Sequence, residues 1–211
     1  MKLYFVRHGE TYLNKYKKMQ GWSDAPLTPE GEIVASQTGK RLKDIPFYAI
    51  YTSDLGRTIQ TAKLILLENN HCSPDDIQPM KEFRETFFGS FEADFGSNVY
   101  PKVAAEHGIE MKDVFGKLSL AEISNTMKAL DPFDDAESAA DFEERLVEGL
   151  NKITSNVPAD AEVLIVTHGN TIRHIVHNVS PETNVFQEIG NSSITTIDFQ
   201  DGNYQLIEFN R

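Results

Sequence analysis

The chain has 211 residues and a formal net charge of −12, which disfavours nucleic acid and anionic membranes as partners because both are anionic. Its one cysteine, Cys72, leaves no internal disulfide, and no apolar run reaches the roughly 18 residues of a membrane span. Length and composition therefore predict a single cytoplasmic domain over residues 1–211.

The first half of the chain alternates between strand and helix patterns. Residues 2–7 predict a buried strand, and a Thr-Pro pair precedes a helix that extends to about residue 43. Residues 48–52 predict a second strand. The Ser-Asp pair at 53–54 can cap the next helix, whose apolar stripe includes Ile59, Ala62, Ile65 and Leu66. Residues 69–80 predict a loop that ends in a short strand.

The pattern weakens between residues 86 and 136. Short helical stretches at 99–106 and 119–130 lie there among Gly, Pro and Asp. We interpret this segment as an insertion that caps a crevice of the domain.

The last third of the chain returns to a regular alternation. Ser138 caps a long helix, residues 162–167 predict a strand, and residues 170–178 predict a helix. Two strands, 193–199 and 204–209, flank an Asp-Gly-Asn turn that is typical of a hairpin. The whole order predicts an α/β fold: a three-layer αβα sandwich with a mostly parallel mixed sheet and a small helical cap insertion.

Two of the predicted strands stop at a His-Gly pair, with His8 after the first and His168 after the later one. Open parallel sheets place ligands at the carboxyl ends of their strands. The two imidazoles can therefore share one crevice, with Arg7 directly before His8 and Gly169 directly after His168. An imidazole at such a place can be a nucleophile, a base or a metal ligand.

Two further residues are candidates for chemistry. Arg57 lies near the start of the helix after the second strand, where both the guanidinium and the helix N-terminus favour an anion. Glu85 lies in an apolar stretch, where burial would raise its pKa and suit it to proton transfer. Taken alone, either residue could equally be an ordinary exposed side chain.

Metal binding is the main rival chemistry. His174 and His177 have the i, i+3 spacing of a ligand pair, but no carboxylate stands beside them, and Arg7 next to His8 disfavours a cation. We expect no metal and read these two histidines as structural or surface residues of their helix.

Two arginines, two histidines, helix N-termini and one carboxylic acid form the set that phosphoryl transfer requires. Fixed cationic donors stabilise the charge that spreads over three phosphoryl oxygens. A neutral imidazole can attack phosphorus, and an acid can protonate the leaving oxygen.

The chain resembles the histidine phosphatase superfamily, in its phosphoglycerate mutase-like branch. Four blocks carry the resemblance: Arg-His-Gly-Glu-Thr at 7–11, the Gly-Trp block at 21–31, Ser-Asp-Leu-Gly-Arg-Thr at 53–58 and Thr-His-Gly-Asn at 167–170. A late Asn-Ser-Ser-Ile-Thr block at 191–195 resembles the phosphatases of that family.

The resemblance implies a role for each site residue. His8 is the phosphorylated nucleophile, and Glu85 donates a proton and then activates water. Arg7, Arg57 and a protonated His168 hold the phosphoryl group with help from Asn14, and phosphate rests near Gly169.

Two departures from the family pattern bear on function. Ala93 stands where the family often has Gly, so the turn there is expected to differ. The segment 95–136 contains no Arg, whereas the mutases place an Arg pair in this insertion to hold a second phosphate.

We therefore expect a phosphatase that acts on a small phosphorylated metabolite without a cofactor, and Phe87 and Phe88 can line a pocket for an apolar portion of it. A phosphoglycerate mutase, which needs 2,3-bisphosphoglycerate, is the second hypothesis. A non-catalytic phosphate-binding module is the third. The substrate and the oligomeric state are left open at this point.

Overall fold

A computed structural model describes all 211 residues of the chain. Its centre is one six-stranded sheet with the order β3-β2-β4-β1-β5-β6. The strands are β1 Lys2–Arg7, β2 Ala49–Thr52, β3 Ile77–Pro79, β4 Glu162–Thr167, β5 Ile194–Gln200 and β6 Asn203–Glu208.

Four strands of the sheet are parallel: β1 pairs with β4, β4 with β2, and β2 with β3. The last two strands are antiparallel, β5 to β1 and β6 to β5. Asp201 and Gly202 connect β5 to β6 with φ of 50° and 81°, the left-handed conformation that a tight two-residue hairpin needs. The predicted α/β fold with a mostly parallel mixed sheet is thereby confirmed.

Eight helices surround the sheet. They are α1 Tyr12–Lys15, α2 Pro29–Arg41, α3 Gly56–Leu66, α4 Gly96–Glu106, α5 Val114–Lys117, α6 Leu120–Leu130, α7 Ala139–Asn156 and α8 Gly169–Val179. None of these helices has the length and the unbroken apolar character that crossing a bilayer requires. The sequence patterns did not predict α1 and α5, which have only four residues each.

The alternation of side chains along β1 and β4 explains the three layers, because neighbouring residues of a strand point to opposite faces. Phe5 and Ile165 belong to a cluster with α7 and α8 on one face. Val6 and Val166 belong to a second cluster with α3 on the other face. Each such fully buried side chain stabilises the fold by about 1.5–3 kcal/mol.

Helices α4, α5 and α6 have a hydrophobic cluster of their own, which Phe88 and Phe91 join. Two of them match the helical stretches predicted at 99–106 and 119–130, with small shifts at the ends. The interpretation of residues 86–136 as a cap on a single domain remains a prediction.

The predicted capping of α3 by Ser53 or Asp54 is wrong. This helix begins at Gly56 with Leu55 at the cap position and no side-chain cap. The Ser53 hydroxyl instead lies 2.8 Å from Thr58 Oγ1, and Asp54 accepts two hydrogen bonds from Arg84. Both polar groups thus have stronger partners than the backbone N–H groups of the helix.

Candidate active site

The site forms where the neighbouring parallel strands β1 and β4 end. Arg7 is the partner of Thr167 in the ladder, and the His8 N–H donates to Thr167 O at 2.9 Å. This register places the rings of His8 and His168 edge to face, with centroids 5.2 Å apart. The two imidazoles therefore share one crevice, as the positions of the His-Gly pairs predicted.

His8 has the protonation pattern of a nucleophile. Its Nδ1 lies 2.8 Å from Gly9 O and must carry the proton, because a carbonyl only accepts. The Nε2 lone pair is left free. Burial, followed by the charges of Arg57 and Arg7, holds the pKa of His8 well below its ordinary value, so the ring is neutral.

His168 accepts a hydrogen bond at one ring nitrogen, whereas the resemblance implies a protonated ring when the phosphoryl group is bound. Arg57 donates from Nη2 to its Nδ1 at 2.9 Å, and its Nε2 lies 2.8 Å from Ser53 Oγ. Burial and the charge of Arg57 hold the pKa of His168 well below its usual range. Because the guanidinium always donates, Nδ1 cannot carry a proton in this arrangement.

Arg57 is 1% exposed and lies in the first turn of α3. Backbone carbonyls of the preceding loop hold its guanidinium: Nη2 donates to Gly21 O at 2.7 Å, and Nη1 to Ser23 O at 3.0 Å. Asp24 adds an ion pair at 3.1 Å. Its buried Nε has no partner in the chain, so one donor of this cation remains available to an anion.

Arg7 has the same property as Arg57. Its Nη1 donates to Ile189 O, while its buried Nε has no partner. Burial and the neighbouring charge of Arg173 lower the pKa of Arg7 to about 10, which still leaves it cationic near neutral pH. Two guanidinium groups thus each present an unpaired N–H donor.

Gly169 and Asn14 both lie near Arg7. Gly169 is the first residue of α8, and a side chain there would lie 3.6 Å from Arg7 Nε and 3.5 Å from Arg173 Nη1. Asn14 uses its Oδ1 to cap α1 by accepting from the Thr11 N–H, and its residue lines a cavity together with Arg7.

Arg173 is a cation of the site that the sequence reasoning missed. It lies one turn into α8, and its guanidinium donates to Val185 O, Gln187 O and Asn170 Oδ1. The only signal for it was its i+4 spacing from Gly169, which places it on the same side of the helix.

Glu85 lies at the start of α8 as a buried carboxyl. Its Oε1 accepts from the Thr86 N–H and its Oε2 from the Asn170 N–H, both at 3.0 Å. Burial raises the pKa of Glu85 above its ordinary value, although these two donors and Arg57 act in the opposite direction. A carboxyl with a raised pKa can hold a proton for a leaving group.

Arg145 of α7 holds the backbone on both sides of that carboxyl. Its guanidinium donates to the carbonyls of Glu82, Arg84 and Glu85 at 2.8–2.9 Å. Glu137 accepts from it in a bidentate ion pair. This role was not predicted, because Arg145 lies 60 residues from Glu85 along the chain.

Trp22 and Glu92 connect the Gly-Trp loop to the segment after Glu85. The indole N–H of Trp22 donates to Glu85 O at 2.9 Å, and its ring stacks on Phe87. Glu92 accepts from the N–H groups of residues 21, 22, 23 and 88. Ala93 follows with φ of 61°, a left-handed conformation that glycine adopts more readily than alanine.

No group of three or more His, Cys, Asp or Glu side chains is placed to hold a metal ion. His174 packs edge to face on Phe142 and lies 3.3 Å from Glu143, while His177 is exposed. These two histidines are thus not a ligand pair in the structure.

The site as a whole offers a free imidazole nitrogen, two unpaired guanidinium donors and a carboxyl whose pKa burial raises. Such a set can transfer a phosphoryl group to His8 and protonate the oxygen that leaves.

Known proteins share both the sequence pattern and the fold. The model of the histidine phosphatase superfamily, branch 1, matches residues 3–211. A 2,3-bisphosphoglycerate-dependent phosphoglycerate mutase of Methanococcus vannielii is 29% identical over 82% of this chain and 79% of its own length. The uncharacterized phosphatase PhoE of Bacillus subtilis is 27% identical over 97% of this chain and 92% of its own length.

Among solved structures, a phosphoglycerate mutase from Bacillus anthracis superposes with a TM-score of 0.92 and 32% identity, over 100% of this chain and 92% of that one. Relatives of both kinds, phosphatases and mutases, are phosphoryl-transferring enzymes. The chain belongs to the histidine phosphatase superfamily, branch 1.

Proposed function

We propose that the chain is a phosphatase that hydrolyses a small phosphomonoester through a covalent phosphohistidine on His8. The Nε2 lone pair attacks phosphorus, the bond from phosphorus to the ester oxygen breaks, and Glu85 gives its proton to that oxygen. Glu85 then takes a proton from water as the water attacks phosphorus and the bond from phosphorus to His8 Nε2 breaks. Orthophosphate leaves, and both His8 and Glu85 return to their starting protonation states.

The free Nε2 of His8 is the observation that carries this proposal. Gly9 O fixes the proton on Nδ1, and burial keeps the ring neutral. Packing alone does not require a free lone pair on a buried neutral imidazole, whereas nucleophilic attack does. The unpaired Nε donors of Arg7 and Arg57 supply the positive charge that the transferring group needs.

The remaining site residues have binding roles in this proposal. Arg7 and Arg57 hold the phosphoryl oxygens, with Asn14 and the start of α8 at Gly169 beside them. Before the substrate binds, His168 accepts from Arg57, which orients the guanidinium. A dianionic phosphoryl group next to His168 favours its protonation, and the charged ring then donates from both nitrogens and no longer accepts from Arg57.

We propose further that the reaction requires neither a metal nor a cofactor, that its substrate is a phosphorylated metabolite, and that the enzyme acts in the cytoplasm. Activity that survives dialysis against EDTA supports the first point. Activity restored only by a divalent cation contradicts it.

Replacing His8 by Ala tests the mechanism. We expect turnover of an aryl phosphate to fall by at least roughly 10⁴-fold, because loss of a nucleophile removes the covalent route. Rapid quenching in alkali should trap phosphate on the wild-type protein and none on the variant. A variant that keeps its turnover, or a wild-type protein that never carries phosphate, contradicts the proposal.

Arg173 is the observation that favours a second candidate, a phosphoglycerate mutase. The expectation of a phosphatase relied on a segment without Arg, yet Arg173 of α8 lies near Gly169, close to Arg7. A second anionic group of a sugar acid could bind there. Conversion of 3- to 2-phosphoglycerate, stimulated by 2,3-bisphosphoglycerate, would decide for the mutase, and phosphate release without it would decide for the phosphatase.

A further inference from the structure

An apolar cavity of about 260 Å³ lies beneath α4, α5 and α6. Seven of its twelve lining residues are hydrophobic, among them Phe88, Tyr100, Phe115, Ile123 and Met127. Phe88 thus lines a pocket as the sequence suggested, whereas Phe87 stacks on Trp22 outside it.

One end of this cavity is polar and adjoins the proposed catalytic groups. Asn170 and Arg173 line that end. The Asn170 N–H donates to Glu85 Oε2 at 3.0 Å, and Arg173 lies beside Gly169, as Arg7 does. The cavity therefore begins next to the proton donor and continues away from the phosphoryl site into apolar walls.

A second cavity of about 340 Å³ lies on the other side of Tyr100, which lines both. Its lining is polar and carries Arg7, Asn14, Lys17 and Lys18. Two spaces of different character thus meet at the site. Water and anions suit the polar space, and an apolar group suits the walls that α4, α5 and α6 form in the other.

The position of the acid decides which space receives the organic part of the substrate. A general acid must lie within hydrogen-bond reach of the oxygen that it protonates. The ester oxygen therefore faces Glu85, and the carbon attached to it enters the apolar cavity.

We propose that this cavity binds the leaving group, and that the substrate is the phosphate ester of an apolar alcohol or phenol; this rests on the proposed phosphatase function. An apolar cavity of roughly 150 Å³ suffices for benzene in another protein, so the larger space here accommodates a six-carbon chain or more than one ring. Sugars and polyols would leave several hydroxyl groups without partners against Phe115, Ile123 and Met127.

Arg173 does not reverse this preference for uncharged groups. Three of its N–H donors already bind protein oxygens, and Glu188, which lines the same cavity, lies close enough to offset part of its charge. It closes the polar end of the cavity beside the ester oxygen.

Hexyl phosphate and glycerol 3-phosphate provide the test, because both release an aliphatic alcohol and differ mainly in polarity. We expect kcat/KM for hexyl phosphate to be higher by at least about 10-fold, as expected for apolar groups that fill a matching pocket. Hexanol should inhibit the reaction, and glycerol should not.

Ser124 lines the cavity from α6 and makes no side-chain hydrogen bond, so the substitution Ser124→Phe should fill the space. We expect it to lower kcat/KM for hexyl phosphate by at least about 10-fold and to leave methyl phosphate nearly unaffected. Ala129→Phe places the same ring on the exposed side of the same helix and should change neither. Thermal unfolding of both variants reports whether they fold.

The outcomes separate the inference from the proposed function. Phosphatase activity without a preference for hexyl phosphate, or a preference that Ser124→Phe leaves intact in a folded variant, overturns the cavity assignment alone. A preference for 3-phosphoglycerate also overturns the cavity assignment, because it would mean that an anionic part of the substrate binds at Arg173. No hydrolysis of any of these esters overturns both proposals. If Ser124→Phe does not fold, two measurements on the wild-type protein still decide: the ratio of kcat/KM for hexyl phosphate to that for glycerol 3-phosphate, and the inhibition by hexanol.

Discussion

The carboxyl edge of the sheet and the segment of α4, α5 and α6 are built from different kinds of interaction. At the edge, charged groups are buried and each is held by the backbone, as Arg57 is by Gly21 O and His8 by Gly9 O. In the segment of α4, α5 and α6, apolar side chains form most of the walls of a space, and the held cation Arg173 lies only at its polar end. Directional bonds position the chemistry, while shape and apolar character select what enters.

This difference has consequences for substitution. Hydrogen bonds and ion pairs fail sharply when one partner is lost, because the other stays buried without a partner. Apolar walls change by degrees as volume is added or removed. We therefore expect large effects on rate from the sheet edge and small, substrate-dependent effects from the segment above it.

The substitution Glu85→Gln should have the largest effect at the edge. We expect kcat to fall by about 10²–10⁴-fold, since a proton donor contributes on that order. The phosphate Kd should change little, because the amide keeps the shape of the carboxyl.

The pH profile sharpens this prediction. Burial raises the pKa of Glu85, and the acid works only while protonated, so wild-type kcat should fall as pH rises through that raised pKa. The variant should lack this descending limb. An equal rate, or an unchanged limb, would assign the proton transfer to another group.

Arg57→Lys keeps the charge but loses the planar fork. We expect kcat/KM to fall by roughly 10²-fold, because a lysine cannot donate to Gly21 O, His168 and a phosphoryl oxygen together. Inhibition by orthophosphate should weaken in parallel. A lysine variant with nearly full activity would mean that the positive charge at position 57 is sufficient for catalysis and that the planar geometry of the guanidinium is not needed.

Arg145→Met tests whether a residue outside the crevice positions the acid. Losing its bonds to the carbonyls of Glu82, Arg84 and Glu85 should lower kcat by about 10- to 100-fold. It should also shift the pH at which kcat falls as Glu85 loses its proton, and leave the phosphate Kd unchanged. A purely structural role would move the melting temperature but not the pH limb.

Lys152→Met is the matched control for Arg145. Lys152 lies on the same helix and pairs with the Glu82 side chain from a half-exposed position. We expect a small loss of stability and no change of the pH profile. A loss of kcat in Lys152→Met comparable to that in Arg145→Met would contradict a specific role of Arg145 in positioning Glu85.

Ala93→Gly should have the smallest effect and the opposite sign. Alanine costs about 1–2 kcal/mol in the left-handed conformation that Ala93 adopts, and glycine avoids this cost at some expense in chain entropy. We expect the free energy of unfolding to rise by about 0.5–1 kcal/mol. Denaturant titration measures it.

Ala105→Gly provides the comparison, because Ala105 is exposed within α4. There glycine should lower the free energy of unfolding by about 1 kcal/mol. Two shifts of the same sign would show that Ala93 is not strained.

The edge of the sheet was predictable from the sequence, and the reason is local. His8, Arg57 and His168 each follow a strand within a few residues, so strand position alone brings them together. The protonation state of His168 was not predictable, because it depends on Ser53 and Arg57 reaching its two nitrogens from a distant part of the chain.

The segment over the site could be predicted only as far as its helices α4 and α6. Its cavity arises from packing among residues whose spacing shows no functional pattern. Arg145 and Arg173 were missed for the same reason: α7 and α8 gain their roles through tertiary contact with the Glu85 segment and with Gly169.

Tyr100 lies between an apolar space and a polar one, and its hydroxyl has no partner in the chain. Once the alcohol has left, a water molecule from the polar side can take the place of the ester oxygen beside Glu85, in line with the bond from phosphorus to His8 Nε2. Hydrolysis would then outrun return of the phosphoryl group to the first product, and added alcohols would make poor acceptors. The ratio of free phosphate to newly formed ester in mixed solvent therefore reports whether this tyrosine separates two routes.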